Sequence, residues 1–216
     1  ASAAKNGSVL KFTNYVSSFQ RKILEKNPEG MAMSFLSNHD MDRIAGTFVT
    51  ENNMRMAANL YLLSPGSPMI YYGEEIGIRG SRGGEMTDAN RRLAMLWGDP
   101  EDLIKDPVGS TYPDKNQIQT TVADQLADEE SLLRYYQKLI ALRKEYDIFR
   151  DGWFELLDPD NEKVFAYTRD TETAHMLVVC NFTAQTLDWK LPWNYRGAKK
   201  LIGNYPDDFE ILRPYE

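Results

Sequence analysis

The segment Ser37-Asn38-His39-Asp40, followed by Met41-Asp42-Arg43, sets an imidazole directly beside a carboxylate. Such a pair can grip vicinal hydroxyls or take part in acid/base chemistry. Asn38, His39 and Asp40 have a second, purely local use, because side chains of these types cap turns ahead of helices. Taken alone, the triplet leaves both uses open. A second acidic cluster follows in Gly73-Glu74-Glu75. Two adjacent carboxylates invite a catalytic reading, but neighbouring residues on a strand point to opposite faces and cannot flank one bond, so Glu74 and Glu75 read as structural.

Both clusters close apolar runs. Met31 to Leu36 reads as a buried strand ending at Ser37, and Pro68 to Tyr72 as a second one ending at Gly73. Between them Met54, Ala57, Ala58, Tyr61 and Leu62 recur at helical spacing until Ser64-Pro65-Gly66 breaks the pattern. Strand, helix and strand with short connections imply a parallel pair with a right-handed crossover. The two clusters then share one edge of the sheet, where α/β proteins place their sites. An earlier helix is expected from Val9 to Ile23, halted at Asn27-Pro28-Glu29-Gly30, and a later one over Leu132 to Ile140, ending in Arg143-Lys144. From Gly77 to about Asp128 the chain is rich in Gly and Asp and poorly periodic, as cleft-shaping or mobile segments are. After Tyr146 the character changes to short β-branched and aromatic runs, at 152–157, 163–169, 175–182 and 187–191, separated by turn sequences. These predict an antiparallel sheet, with a domain boundary near Asp147 dividing residues 1–147 from 148–216.

Of the 216 residues, 42% are hydrophobic and 12% aromatic, which suffices for a buried core. The 25 basic and 32 acidic residues give a net charge of −7, with no basic face to hold a phosphate backbone. No apolar run approaches a bilayer span. Nucleic acid and membrane are therefore poor candidates as partners. Cys180 is the single cysteine, flanked by apolar residues, which rules out an intrachain disulfide and suits a small core residue. The opening ASAAKNGSV lacks the pattern of a signal peptide, and compartment is not readable from it.

The order of four segments is more specific than any one of them. FLSNHDMDR, then AANLYLLSPGSPMIYYGEEIG, then RRLAMLW, then LIALRKE resembles the α-amylase family, retaining glycoside hydrolases built on a (β/α)8 barrel. Dinuclear metallophosphoesterases also use Asn-His-Asp, but the chain has only two histidines, His39 and His175, too few for a two-metal site. The resemblance implies an α/β fold: the C-terminal portion of a TIM barrel, about strands 7 and 8 with flanking helices, followed by a small all-β antiparallel sandwich. It also implies that Asp40 is the carboxylate that holds the 2- and 3-hydroxyls of the sugar being cleaved and that His39 binds the same sugar. Arg43 matches an Arg found after the motif in many members; it suits a substrate contact or a surface ion pair equally well. Ala94 departs from the usual Arg-x-Pro-Met-x-Trp, and Tyr71, Tyr72 and Trp97 suit either sugar stacking or, more commonly, core packing.

In that family the nucleophilic Asp and the acid/base Glu follow strands four and five, ahead of everything matched here. The expectation is therefore a fragment of a retaining α-glucan hydrolase, inactive alone. The missing N-terminal barrel part, or self-association, would cover its exposed strands. No cofactor is expected in the fragment; calcium belongs to some full-length members, but no metal-ligand spacing occurs here. The expected partner is an α-1,4-glucan or maltooligosaccharide. The alternatives are an exo-acting α-glucosidase, an oligo-1,6-glucosidase, or a noncatalytic carbohydrate-binding or interaction protein on the same scaffold.

Overall fold

The first apolar stripe folds into α1, Leu10–Lys26, which stops where Asn27 turns extended, one residue before Pro28. It belongs to a computed structural model that describes residues 9–48, 50–80, 88–99, 101–102, 105–106, 108–109, 111–112, 120–205 and 211–216. The opening ASAAKNGS and parts of the Gly- and Asp-rich segment lie outside the described residues.

The parallel pair is present but short. β1, Met33–Ser34, pairs with β2, Ser67–Pro68, in the register Met33↔Ser67 and Ser34↔Pro68. Pro68 brings no N–H to the ladder. The buried strand expected over 31–36 is also more open than its apolar run suggests: Met31, Met33 and Phe35 are 54%, 60% and 36% exposed. A short α2, Ile44–Thr47, and then α3, Glu51–Leu62, form the connection. Helix α3 ends in carbonyls that need donors. Arg143 supplies them, donating from Nη1 to Leu62 O at 2.7 Å and Ser64 O at 3.2 Å, and from Nη2 to Gly66 O. The basic end of the late helix thus caps α3 rather than only its own C-terminus.

The segment from Gly77 to Asp128 is not wholly irregular. It contains a 3₁₀ turn at Ala89–Arg91 and α4, Val122–Ala127, opened by a capping box between Thr121 and Asp124. Ile76, Ile78 and Leu93 form a small apolar core here, joined by Met95, Leu96 and Leu133. Helices α5, Leu132–Glu145, and α6, Ile148–Asp151, follow.

β3, Trp153–Leu157, β4, Val164–Asp170, and β5, His175–Asn181, form an antiparallel sheet in the order β3-β4-β5. One face carries Phe165, against which Phe12 of α1 packs edge-on at 5.0 Å, with Phe154 and Tyr167 ring to ring, also at 5.0 Å. On the other face Val164 and Ala166 pack with Val179, Leu187 and Leu212. The strand expected at 187–191 is reduced to one antiparallel bridge, Leu187↔Leu212. Cys180 is buried, which pushes its thiol up to about 12.

Packing divides the chain into two compact units interleaved in sequence. One comprises Ala1–Ser34, Arg55–Pro68 and Leu139–Glu216; the other comprises Phe35–Met54 and Met69–Lys138. The first holds the sheet and the parallel pair, the second both polar clusters.

Candidate functional site

The two clusters meet through a buried carboxylate. Ser37 Oγ donates to Glu74 Oε2 at 2.6 Å and the Tyr136 hydroxyl donates to Glu74 Oε1 at 3.0 Å. With Glu74 only 2% exposed, the carboxylate is structural. The reason differs from strand alternation, however, because Glu74–Ile76 is a 3₁₀ turn between Gly73 and Gly77, both at positive φ. The left-handed backbone at Gly73 favours glycine, and a Cβ there would also crowd the side chain of Ile78. Glu75 buries its Oε2 without a hydrogen-bond partner among the described residues, and burial raises its carboxyl above the ordinary value.

Asn38 serves the local use foreseen for the triplet: its Oδ1 accepts the N–H of Asp40 at 2.9 Å, forming an Asx turn. That turn presents its neighbours to solvent, with the side chains of His39 and Asp40 62% and 68% exposed. His39 Nε2 lies 3.2 Å from Asp40 Oδ2. The other oxygen, Oδ1, lies 3.5 Å from Arg92 Nη2. Arg92 also donates through Nε and Nη2 to His39 O, each at 3.3 Å, and lies 3.6 Å from Asp88 Oδ2. Arg91 is buried; it donates from Nη1 to Asp40 O and pairs with Asp88.

Arg43, expected at a sugar or in a surface ion pair, is buried and forms no ion pair among the described residues. It is 1% exposed, donating from Nε to Arg91 O at 2.8 Å and from Nη1 to Tyr72 O at 2.7 Å. Its guanidinium lies 4.4 Å from the ring centre of Tyr71 and 4.7 Å from that of Tyr72. The Tyr72 hydroxyl donates to Leu93 O at 2.9 Å. Burial, then the neighbouring Tyr72, raises the phenol of Tyr71. Trp97, which suits sugar stacking or, more commonly, core packing, lies outside the core: it is exposed on a loop fastened by Asp102, whose Oδ2 accepts the N–H of Trp97 at 2.6 Å and of Gly98 at 2.8 Å.

Sequence reasoning missed Arg91 and Arg92 as site residues, although RRLAMLW was recognised as a signature. Their spacing of three and four from Asp88 was a readable sign of an ion-paired turn. Among the described residues no group of three or more His, Cys, Asp or Glu side chains could hold a metal ion. What the arrangement offers is an exposed carboxylate with one oxygen beside an imidazole and the other beside a guanidinium. That is a bidentate acceptor for neighbouring hydroxyls.

Residues 2–152 match the family model described as alpha amylase, catalytic domain, and residues 154–212 that of the maltogenic amylase C-terminal domain. A probable oligo-1,6-glucosidase of Bacillus subtilis is 28% identical over 87% of the chain and 42% of its own length. Alpha-amylase SusG of Bacteroides thetaiotaomicron is 31% identical over 92% of the chain and 29% of its own length. Among solved structures, isomaltulose synthase from Klebsiella superposes with a TM-score of 0.81 at 19% identity, covering 96% of the chain and 45% of the synthase. Trehalose-6-phosphate hydrolase of Bacillus licheniformis superposes with a TM-score of 0.75 at 24% identity, covering 95% and 45%. The chain thus spans less than half the length of these relatives.

Proposed function

The chain belongs to the α-amylase family of glycoside hydrolases, and we propose that it forms the sugar-gripping part of a retaining hydrolase of α-1,4-glucans. The observation that carries this reading is the exposed Asp40 carboxylate beside His39, on the turn that follows the first strand of the parallel pair. Asp40 accepts hydrogen bonds from the 2- and 3-hydroxyls of the glucose being cleaved. As that ring flattens toward an oxocarbenium ion, the bond to the 2-hydroxyl strengthens, so an ionised acceptor there lowers the barrier. His39 binds the same sugar, and Arg43 acts from beneath the turn. The nucleophile and the acid/base carboxylate, which must stand about 5 to 5.5 Å apart, are supplied from outside this chain.

Relatives include both α-amylases and oligo-1,6-glucosidases. Met41-Asp42-Arg43 after the triplet favours α-amylase over the Gln-Pro-Arg ending usual in oligo-1,6-glucosidases. Two measurements test the reading. The purified chain is expected to leave starch unhydrolysed, and robust turnover would overturn the assignment of the bond-breaking groups. Calorimetry with maltohexaose is expected to show binding that Asp40→Ala weakens about tenfold or more; undiminished affinity would remove Asp40 from the sugar site.

A further inference from the structure

We propose that Arg92 is a positioning residue for Asp40, and that Arg43 and Arg91 are the frame that carries it to the carboxylate. The inference rests on the reading of Asp40 as a sugar-gripping group and adds what sets its geometry. The Asx turn orders the backbone at Asp40, through Asn38 Oδ1, but does nothing to orient the side chain. A carboxylate on an exposed turn has two free torsions, and a bidentate grip on two hydroxyls requires one setting of them.

Two arginines fasten the turn to the 88–92 segment reciprocally. Arg43, from just beyond the turn, donates to Arg91 O at 2.8 Å, while Arg91 donates back to Asp40 O. Both are buried, so each would leave a desolvated group unpaired if the two segments separated. The fastening puts the next residue, Arg92, over the turn. Its Nη2 faces three acceptors: His39 O at 3.3 Å, Asp40 Oδ1 at 3.5 Å and Asp88 Oδ2 at 3.6 Å. With a side chain 43% exposed, Arg92 gains little stability from such long contacts. Its effect is on orientation: Oδ1 is drawn to Arg92 while Oδ2 faces His39 at 3.2 Å, so the plane of the carboxylate is set by groups on both sides. Nε and Nη2 grip His39 O together, each at 3.3 Å, which fixes the plane of the guanidinium and so the place of Nη2 beside Asp40; a single ammonium nitrogen has no such two-point hold.

The test uses the full chain and the variants Arg92→Ala, Arg92→Lys, Asp40→Ala and the double alanine variant, with maltohexaose as the probe in calorimetry. Arg92→Ala is expected to weaken binding about tenfold, Arg92→Lys to recover only part of that, and the double variant to be no worse than Asp40→Ala, since the two residues act as one unit. Millimolar guanidinium ion should restore affinity to Arg92→Ala and not to the double variant. Without ligand, hydrogen exchange at the amides of Asp40 and Met41 should quicken in Arg92→Ala while the urea midpoint stays unchanged.

Full affinity in Arg92→Ala beside a loss in Asp40→Ala would overturn the positioning role and leave the sugar reading intact. Losses that multiply in the double variant would also overturn it, by showing that Arg92 meets the sugar independently. Undiminished affinity in Asp40→Ala, or no maltohexaose binding by the unaltered chain, would remove the sugar reading and this inference with it.

Discussion

The β3-β4-β5 sheet and the loops that carry Asp40 solve the same problem, the pairing of backbone carbonyls, by different means. In the sheet, backbone N–H groups meet backbone carbonyls in continuous register from Trp153↔Asp170 to Val164↔Asn181, and interchangeable apolar rings fill the faces. Around the site, side chains do the pairing: Arg43 serves the carbonyls of Tyr72 and Arg91, Arg91 that of Asp40, Arg92 that of His39, and Tyr72 that of Leu93. A regular ladder depends on residue class and period. An irregular one depends on individual donors of a given length, so shape and chemistry in the loops are lost together when a donor is removed.

That contrast can be broken by two substitutions. Phe165→Ala removes a ring 1% exposed between Phe12 and Tyr167, and should cost about 3 to 5 kcal/mol in urea unfolding while leaving maltohexaose affinity unchanged in the folded protein. Arg43→Ala removes two charged hydrogen bonds, worth about 3 kcal/mol together, and should lower stability and affinity alike. If the first variant loses affinity as severely as the second, the sheet is not merely support. If the second unfolds normally and binds normally, the arginine fastening is ornamental.

The same difference explains what could be read in advance. The runs at 152–157, 163–169 and 175–182 became strands at Trp153–Leu157, Val164–Asp170 and His175–Asn181 because alternation and turn residues encode a sheet locally. Asp40 and His39 were legible as an adjacent acid and imidazole, and Asn38 as a turn former. Arg92 was not, because its meeting with Asp40 spans 52 positions and no local pattern records that return. The apolar runs 31–36 and 68–72 signalled burial, but a strand also needs paired neighbours, and β1 and β2 pair over two residues each. Trp97 shows the limit of residue type: the same indole serves a core or an exposed loop, and here its backbone is held by Asp102 on an exposed one.

Two carboxyl groups in the same loop-rich region sharpen the comparison at the smallest scale, through pH. Glu75 is raised chiefly by burial, against opposing N–H groups of Glu75 and Gly73 and the charge of Arg43. The folded state therefore favours its protonated form. The stability it contributes is fully present below the ordinary carboxylate value and lost as pH rises through the raised one. Asp102 is lowered by the N–H of Gly98 first, with those of Trp97 and Asp99 adding to it, so its contribution is present above the ordinary value and lost as pH falls through the lowered one. Urea midpoints measured from acid to neutral pH should therefore diverge in opposite senses. Glu75→Gln should match the unaltered chain in acid and exceed it toward neutrality, whereas Asp102→Asn should match it in acid and fall below it. Parallel curves for Glu75→Gln would show that burial does not raise the Glu75 carboxyl in the folded protein.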